Sequence, residues 1–140
     1  MIKTLRALFN LDENEVVKYS DLGKVKPGVW FNLVNQDEVI EDKDIYPGAW
    51  YKRYSTKVSG QEIFITRIYK GHGYHYHSHD CKETITSING SVMVNDTKVL
   101  TQNDNTTFYP KTRHKVFFQD SLNGEYVDLL VEFLKANHHK

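Results

Sequence analysis

The sequence predicts an all-β domain, a sandwich or closed barrel of short strands. The nine Tyr, seven Phe and two Trp residues fall largely at alternating rather than helical positions, the pattern of side chains on a pleated surface. From residue 50 onward, short alternating runs recur between turn signals, the profile of sandwiches and barrels. No internal repeat, low-complexity tract or long linker interrupts them.

In chain order, Ile2, Leu5, Leu8 and Phe9 recur at helical spacing and predict one short amphipathic helix over residues 2–9, covering a sheet edge or a partner subunit. Val16, Val17 and Tyr19 suggest an edge strand. Gly23, Pro27 and Gly28 mark a turn before the apolar run 29–33. The acidic run 36–44 reads as a solvated loop, since carboxylates are mostly exposed. Pro47 and Gly48 mark another turn. Residues 50–54 and 61–69 are strands, the second placing Ile63, Ile65, Arg67 and Tyr69 on one face and Phe64, Thr66 and Ile68 on the other. Strands follow at 74–79, 84–88, 92–94, 98–100, 106–109, 114–118 and 126–134. Asn89-Gly90 is the strongest hairpin signal, Asn95-Asp96 marks a further turn, and the tail 135–140 is polar.

With 140 residues, the chain is one domain's worth, large enough to bury a core without disulfides. Its formal net charge is zero, so no global field attracts nucleic acid or an anionic membrane. Cys81 is the single cysteine; an intrachain disulfide is excluded, and a reducing compartment fits. The N-terminal apolar run is only Ala7, Leu8 and Phe9, too short for a signal peptide or a span. The expectation is a cytoplasmic protein with neither nucleic-acid nor membrane partners.

Chemistry concentrates in residues 71–90, GHGYHYHSHDCKETITSING. Strict alternation over 74–79 would put His75, His77 and His79 on one face and Tyr74, Tyr76 and Ser78 on the other. Residues two apart on a strand lie about 7 Å apart, within reach of one ion held at roughly 2.0 to 2.2 Å from each nitrogen. If Asp80, Cys81 and Lys82 make a hairpin turn, Glu83 returns opposite the histidines. Imidazole with carboxylate suits Fe, Mn, Ni, Co or Zn better than Ca or Mg.

These residues resemble the first motif of the cupin superfamily, in which Gly71, His77, His79, Glu83 and Gly90 fit every position. The second motif is matched in part by NDNTTFYPKTRHKVFF, whose candidate ligand is His114. Asn103 stands where the family has glycine, Pro110 falls one place late, the glycine after it is missing, and Phe118 replaces an Asn. The turn before His114 is therefore expected to be irregular.

The resemblance covers roughly residues 60–134 and implies a cupin-type double-stranded β-helix, a jelly-roll barrel, with residues 1–59 as an N-terminal extension and 135–140 as a tail. It implies His77, His79, Glu83 and His114 as metal ligands, and a homodimer. Beside the metal, His75 is placed as a pocket residue, with a proton carrier or substitute ligand as the other readings, and Tyr69 near the substrate. Arg67 could hold a substrate carboxylate; pairing with a structural carboxylate or a solvated position is the plainer reading. His72 reads as a loop residue and Cys81 as incidental.

The function expected is a metal-dependent enzyme acting on a small oxygenated metabolite, of oxygenase, isomerase or lyase type. The alternative is a non-catalytic metal- or ligand-binding module. A third reading, a metal-free sugar-modifying protein with a histidine base, is weakened by the intact motif. A fold hosting so many functions does not choose among them.

Overall fold

The computed structural model describes residues 16–33, 38–56, 58–119 and 122–135, and for His75 the backbone only. The helix expected over 2–9 lies outside the described residues, as does the tail from 136. Among the described residues the strands are β1 (Val16–Val17), β2 (Trp30–Asn32), β3 (Val39–Ile40), β4 (Ala49–Tyr54), β5 (Gln61–Tyr69) and β6 (Gly73–His79). The second half adds β7 (Lys82–Ser87), β8 (Val92–Val94), β9 (Lys98–Leu100), β10 (Asn105–Phe108), β11 (His114–Phe117) and β12 (Tyr126–Leu134). One helical turn, α1 (Tyr19–Leu22), and a 3-10 turn at Asp42–Asp44 complete the set. No helix of the described residues is long and apolar enough to cross a membrane.

The strands form two sheets, a five-stranded one ordered β1-β6-β11-β8-β9 and a seven-stranded one ordered β10-β7-β12-β5-β4-β2-β3. Alternation in β5 explains its place: Phe64, Thr66 and Ile68 are buried, while the strand pairs along its whole length with β12. On β12 the inward positions are Val127, Leu129, Val131 and Phe133, all buried. They meet Val92, Val94, Leu100 and Val116 of the opposite sheet in one core. Each such side chain removed from water contributes about 1.5–3 kcal/mol, and this shared core holds the sheets face to face.

The segment before residue 60 does more than pack on the barrel. Strands β2 and β4 pair edge to edge and extend the seven-stranded sheet beyond β5. The acidic loop folds over the outer face there. Asp42 accepts from Trp30 Nε1 at 2.6 Å and from Lys52 Nζ at 2.7 Å, above a second apolar cluster of Trp30, Trp50 and Tyr69. At the other end of the chain's path, β1 pairs in parallel with β6, Val17 against His79, and the Tyr19 amide donates to Asp80 Oδ1 at 2.7 Å. The N-terminal segment thereby seals the edge of the histidine strand.

Two expected hairpins are corners instead. The break at Asp80 and Cys81 carries the chain from β6 in one sheet to β7 in the other, and Asn89-Gly90 carries it back to β8. Asn89 serves as an anchor for the second corner. Its Oδ1 accepts from the Asp128 amide at 2.8 Å and its Nδ2 donates to Asp128 Oδ2 at 3.1 Å. The local signal for a tight turn was real, but the partner of each strand lies across the sandwich. Asn95-Asp96 does turn the chain between β8 and β9, which pair Val94 against Lys98 across a three-residue connection, and both residues take positive φ, 54° and 59°, the left-handed conformation that Asn and Asp tolerate.

Candidate metal centre

Four potential ligands converge from both sheets. His77 and His79 project from β6, His114 lies directly across from His77 on β11, and Glu83 reaches over from β7. One ligand atom from each, all four residues buried, lies within 4.8 Å of every other. Ligand atoms held about 2.1 Å from a common ion would stand about 3 Å apart when adjacent and about 4.2 Å when opposite, so a small contraction completes a coordination shell. The centre sits between the layers, which is why Glu83 can face the histidines without a hairpin.

Apolar rings fix the set. Phe108 and Phe133 flank Glu83 from the neighbouring strands on either side. Phe108 stacks on His114 with centroids 4.3 Å apart, and Phe133 lies against His79 at 4.8 Å. His114 Nδ1 donates to the Thr112 carbonyl at 3.1 Å, which leaves Nε2 unprotonated and directed into the site when the ring is neutral. That carbonyl belongs to the irregular turn. Pro110 and Lys111 occupy its centre, with Thr112 N donating to the Tyr109 carbonyl at 3.1 Å and Lys111 N to the His79 carbonyl at 2.7 Å. Lys111 adopts φ 68° where a glycine is favoured. Asn103, standing for another glycine, adopts φ 70°. With these departures from the second motif, His114 still stands in the cluster.

The donor set fits a metal on its own chemistry. His79 Nδ1 and Nε2, Glu83 Oε1 and His114 Nε2 are buried without a properly directed hydrogen bond. Buried polar atoms are otherwise almost always satisfied. Glu83 Oε1 lies 2.5 Å from His114 Nε2 and 3.6 Å from His79 Nε2. Burial alone would raise the Glu83 carboxyl, but the charges of His114 and His79 outweigh it and hold the group down at about 2. Burial pushes His79 down to about 3. At His114 burial also pulls down, yet Glu83 beside it prevails and the ring titrates above its ordinary value. A carboxylate kept ionised and a histidine kept neutral are the states in which each binds a cation.

A β-bulge changes which residue joins the site from the start of β6. The register places His114 across from His77 but Val116 across from Tyr74, so β6 carries one extra residue between the two pairs. Tyr74 consequently lines the cavity with His77 and His79, its ring 5.3 Å from that of His77. Tyr76 turns outward beneath Arg113 and Lys115. Strict alternation, which put Tyr74 on the opposite face, fails here. The side chain of His75 is outside the described groups.

Arg67 and Tyr69 are not at this site. The alternation that turns Phe64 and Thr66 into the cavity turns Arg67 and Tyr69 to the outer face of the seven-stranded sheet. There the Arg67 guanidinium makes two bonds to Asp128, Nε to Oδ1 at 2.7 Å and Nη2 to Oδ2 at 3.0 Å. Tyr69 packs among Trp30 and Trp50. Cys81 is buried in the corner between β6 and β7, and burial pushes its thiol up to about 12.

No family model matches the sequence, and the comparison with curated proteins finds no match. Solved structures do resemble the fold. An RmlC-like cupin from Shewanella frigidimarina shares 22% identity at a TM-score of 0.53, over 67% of this chain and 82% of that one. A cupin-like protein from Thermotoga maritima shares 15% at a TM-score of 0.53, over 66% and 72%. The structure of Rhodobacter sphaeroides SigE in complex with the anti-sigma ChrR contains a chain with 15% identity and a TM-score of 0.54. The likeness to it covers 64% of this chain and only 46% of that one. With two facing sheets, a four-ligand cluster between them and these structural relatives, the chain has the fold of the cupin superfamily.

Proposed function

We propose that the protein is a metal-dependent cupin in which His77, His79, Glu83 and His114 hold one divalent transition ion, Fe, Mn, Ni, Co or Zn. The observation that carries this reading is the convergence of four buried ligand atoms within 4.8 Å, several of them unsatisfied without a cation. Three imidazoles and a carboxylate leave coordination positions open on a six-coordinate ion, which would act there as a Lewis acid or activate a small bound molecule. The chain's own residues supply the rest. Phe108 and Phe133 exclude water and hold the rings, and Thr112 fixes the His114 tautomer. The reaction class is conversion of a small oxygenated metabolite, of oxygenase, isomerase or lyase type. A cytoplasmic location, supported by the single cysteine being buried and free, and a homodimer, implied by the resemblance alone, are part of the same reading.

The test is elemental analysis of tag-free protein prepared without chelators or metal columns, beside His77→Ala and His114→Ala. Near one equivalent of a transition metal, lost in both variants, is expected, and oxygen-uptake and isomerase screens follow. Protein that stays metal-free after reconstitution overturns the reading. Stoichiometric metal with no turnover across such screens favours the non-catalytic module.

A further inference from the structure

The outer face of the five-stranded sheet carries an apolar row that crosses three strands. Phe117 of β11 lies across from Met93 of β8, and Met93 across from Val99 of β9. Val116, Val92, Val94 and Leu100, next to them in sequence, are buried in the core, so these three side chains point outward. Phe117 is 38% exposed and Val99 43%. Gly73 lies across from Phe117 on β6 and extends the row without a side chain of its own.

The segment that precedes β1 enters beside this row. β1 runs parallel to β6, with Val16 against Ser78 and Val17 against His79, so the chain arrives from the Gly73 end of β6. In the sheet order β11 stands two strands from β1 and β9 four, about 10 and 19 Å away at roughly 4.8 Å per strand. Residues 10–15 in extended form reach about 20 Å. A helix over residues 2–9 is about 12 Å long, against about 10 Å for a row three strands wide. Ile2, Leu5, Leu8 and Phe9 give that helix one apolar stripe.

Charge selects the same face. The connection NLDENE holds Asp12, Glu13 and Glu15, and a path from β1 to the row crosses β6, where Arg113 and Lys115 lie over the outward ring of Tyr76. Lys115 also pairs with Asp96 at 2.6 Å. Exposed ion pairs contribute little energy; here they orient the connection while the apolar stripe supplies the burial.

We infer that residues 2–9 dock as an amphipathic helix on the row of Phe117, Met93 and Val99 in their own chain, with the acidic connection lying along Arg113 and Lys115. The occupant is intrachain, because the connection is long enough to reach the row without a second copy. The inference does not depend on a metal.

Two measurements on the full chain test it. In the first, Leu8→Cys is combined either with Met93→Cys or with Tyr54→Cys, the latter 42% exposed on the seven-stranded sheet, and a short bis-maleimide is added. The link within one chain should form at least about fivefold faster to position 93 than to position 54, since docking raises the effective concentration there. In the second, Met93 is one of only two methionines, with Met1, and its conversion to sulfoxide by peroxide is followed by peptide mass spectrometry. Replacing the stripe with Leu5→Asp and Leu8→Asp should uncover Met93 and speed its oxidation at least about fivefold, with the circular dichroism of the sheets unchanged. This second measurement stands if the cysteine variants do not fold. Equal linking at positions 93 and 54, or an unchanged oxidation rate, overturns the inference. A link to position 93 that forms only between two chains overturns it as well, and identifies the row as a contact between copies.

Discussion

Tyr74 lies directly across from Val116, while His77, three residues further along β6, lies across from His114, two residues back along β11. The extra residue on β6 delivers a tyrosine to the cavity and leaves the spacing of His77 and His79 intact. Gly73 makes the bulge tolerable. A Cβ at this position would come 2.3 Å from the Val116 carbonyl oxygen and 2.8 Å from Phe117 Cα, and backbone cannot yield cheaply. Gly73→Ala should therefore cost about 2 kcal/mol or more and lower metal occupancy by shifting β6 against β11. Urea unfolding with parallel metal analysis checks both; an unchanged midpoint would show that the strands can separate here without cost.

The turn before His114 yields the opposite sign. Lys111 holds φ 68°, a conformation costing an L-residue about 1 kcal/mol or more relative to glycine. Lys111→Gly should relieve that strain and stabilise the protein by about 1 kcal/mol, less whatever the glycine adds to unfolded-chain entropy. Because Thr112 keeps its hold on His114 Nδ1, metal content should not change. A loss of stability would mean that the lysine side chain contributes more than its backbone costs.

These two sites also show where the sequence could and could not be read. The all-β class and the strand ranges 61–69, 92–94 and 126–134 were legible because one face of each strand is buried, which writes alternation into the residues. The cluster of His77, His79, Glu83 and His114 followed from motif spacing, even though the hairpin imagined to bring Glu83 back does not exist. The sheet membership of β6, β7 and β8 is a long-range property, settled by which edge each strand meets, and no dipeptide encodes it. Tyr74 was misplaced because a bulge inserts a residue without a local signature; the neighbouring glycine is the one hint, and it acquires meaning only once Val116 and Phe117 are seen against it. Arg67 was undecidable from its own strand, since its partner Asp128 lies 61 positions away.

That ion pair makes a further prediction. Arg67 stacks 4.2 Å from the Tyr126 ring and 5.3 Å from Trp30, with both it and Asp128 largely shielded from solvent. Asp128→Ala would strand the guanidinium and also remove the anchor of Asn89, so a loss of about 2 kcal/mol is expected. Arg67→Ala should weaken the fold by a similar or smaller amount. Neither should alter metal content. If Arg67→Ala keeps its stability and loses metal, the guanidinium serves the metal site after all.

The ligands themselves set how the metal-free protein responds to pH. His79 is held neutral down to about 3 in the folded state but protonates near 6.5 when unfolded. The unfolded chain then binds more protons between those values, and stability falls as pH drops through that window. His114 is shifted upward by Glu83; its contribution is fully present below about 6.5 and is lost as pH rises through its folded value. Glu83, depressed to about 2, contributes above its unfolded value near 4.3 and loses that contribution only as pH falls toward 2. His79 and Glu83 therefore weaken the metal-free protein on the acid side, and His114 weakens it on the alkaline side. A bound ion removes the alkaline limb, because it needs His114 deprotonated and competes better as pH rises. Urea unfolding of chelated and reconstituted protein from pH 5 to 8 measures the difference. Metal-free protein whose stability climbs steadily to pH 8 would show that Glu83 does not raise the His114 ring as their 2.5 Å contact implies.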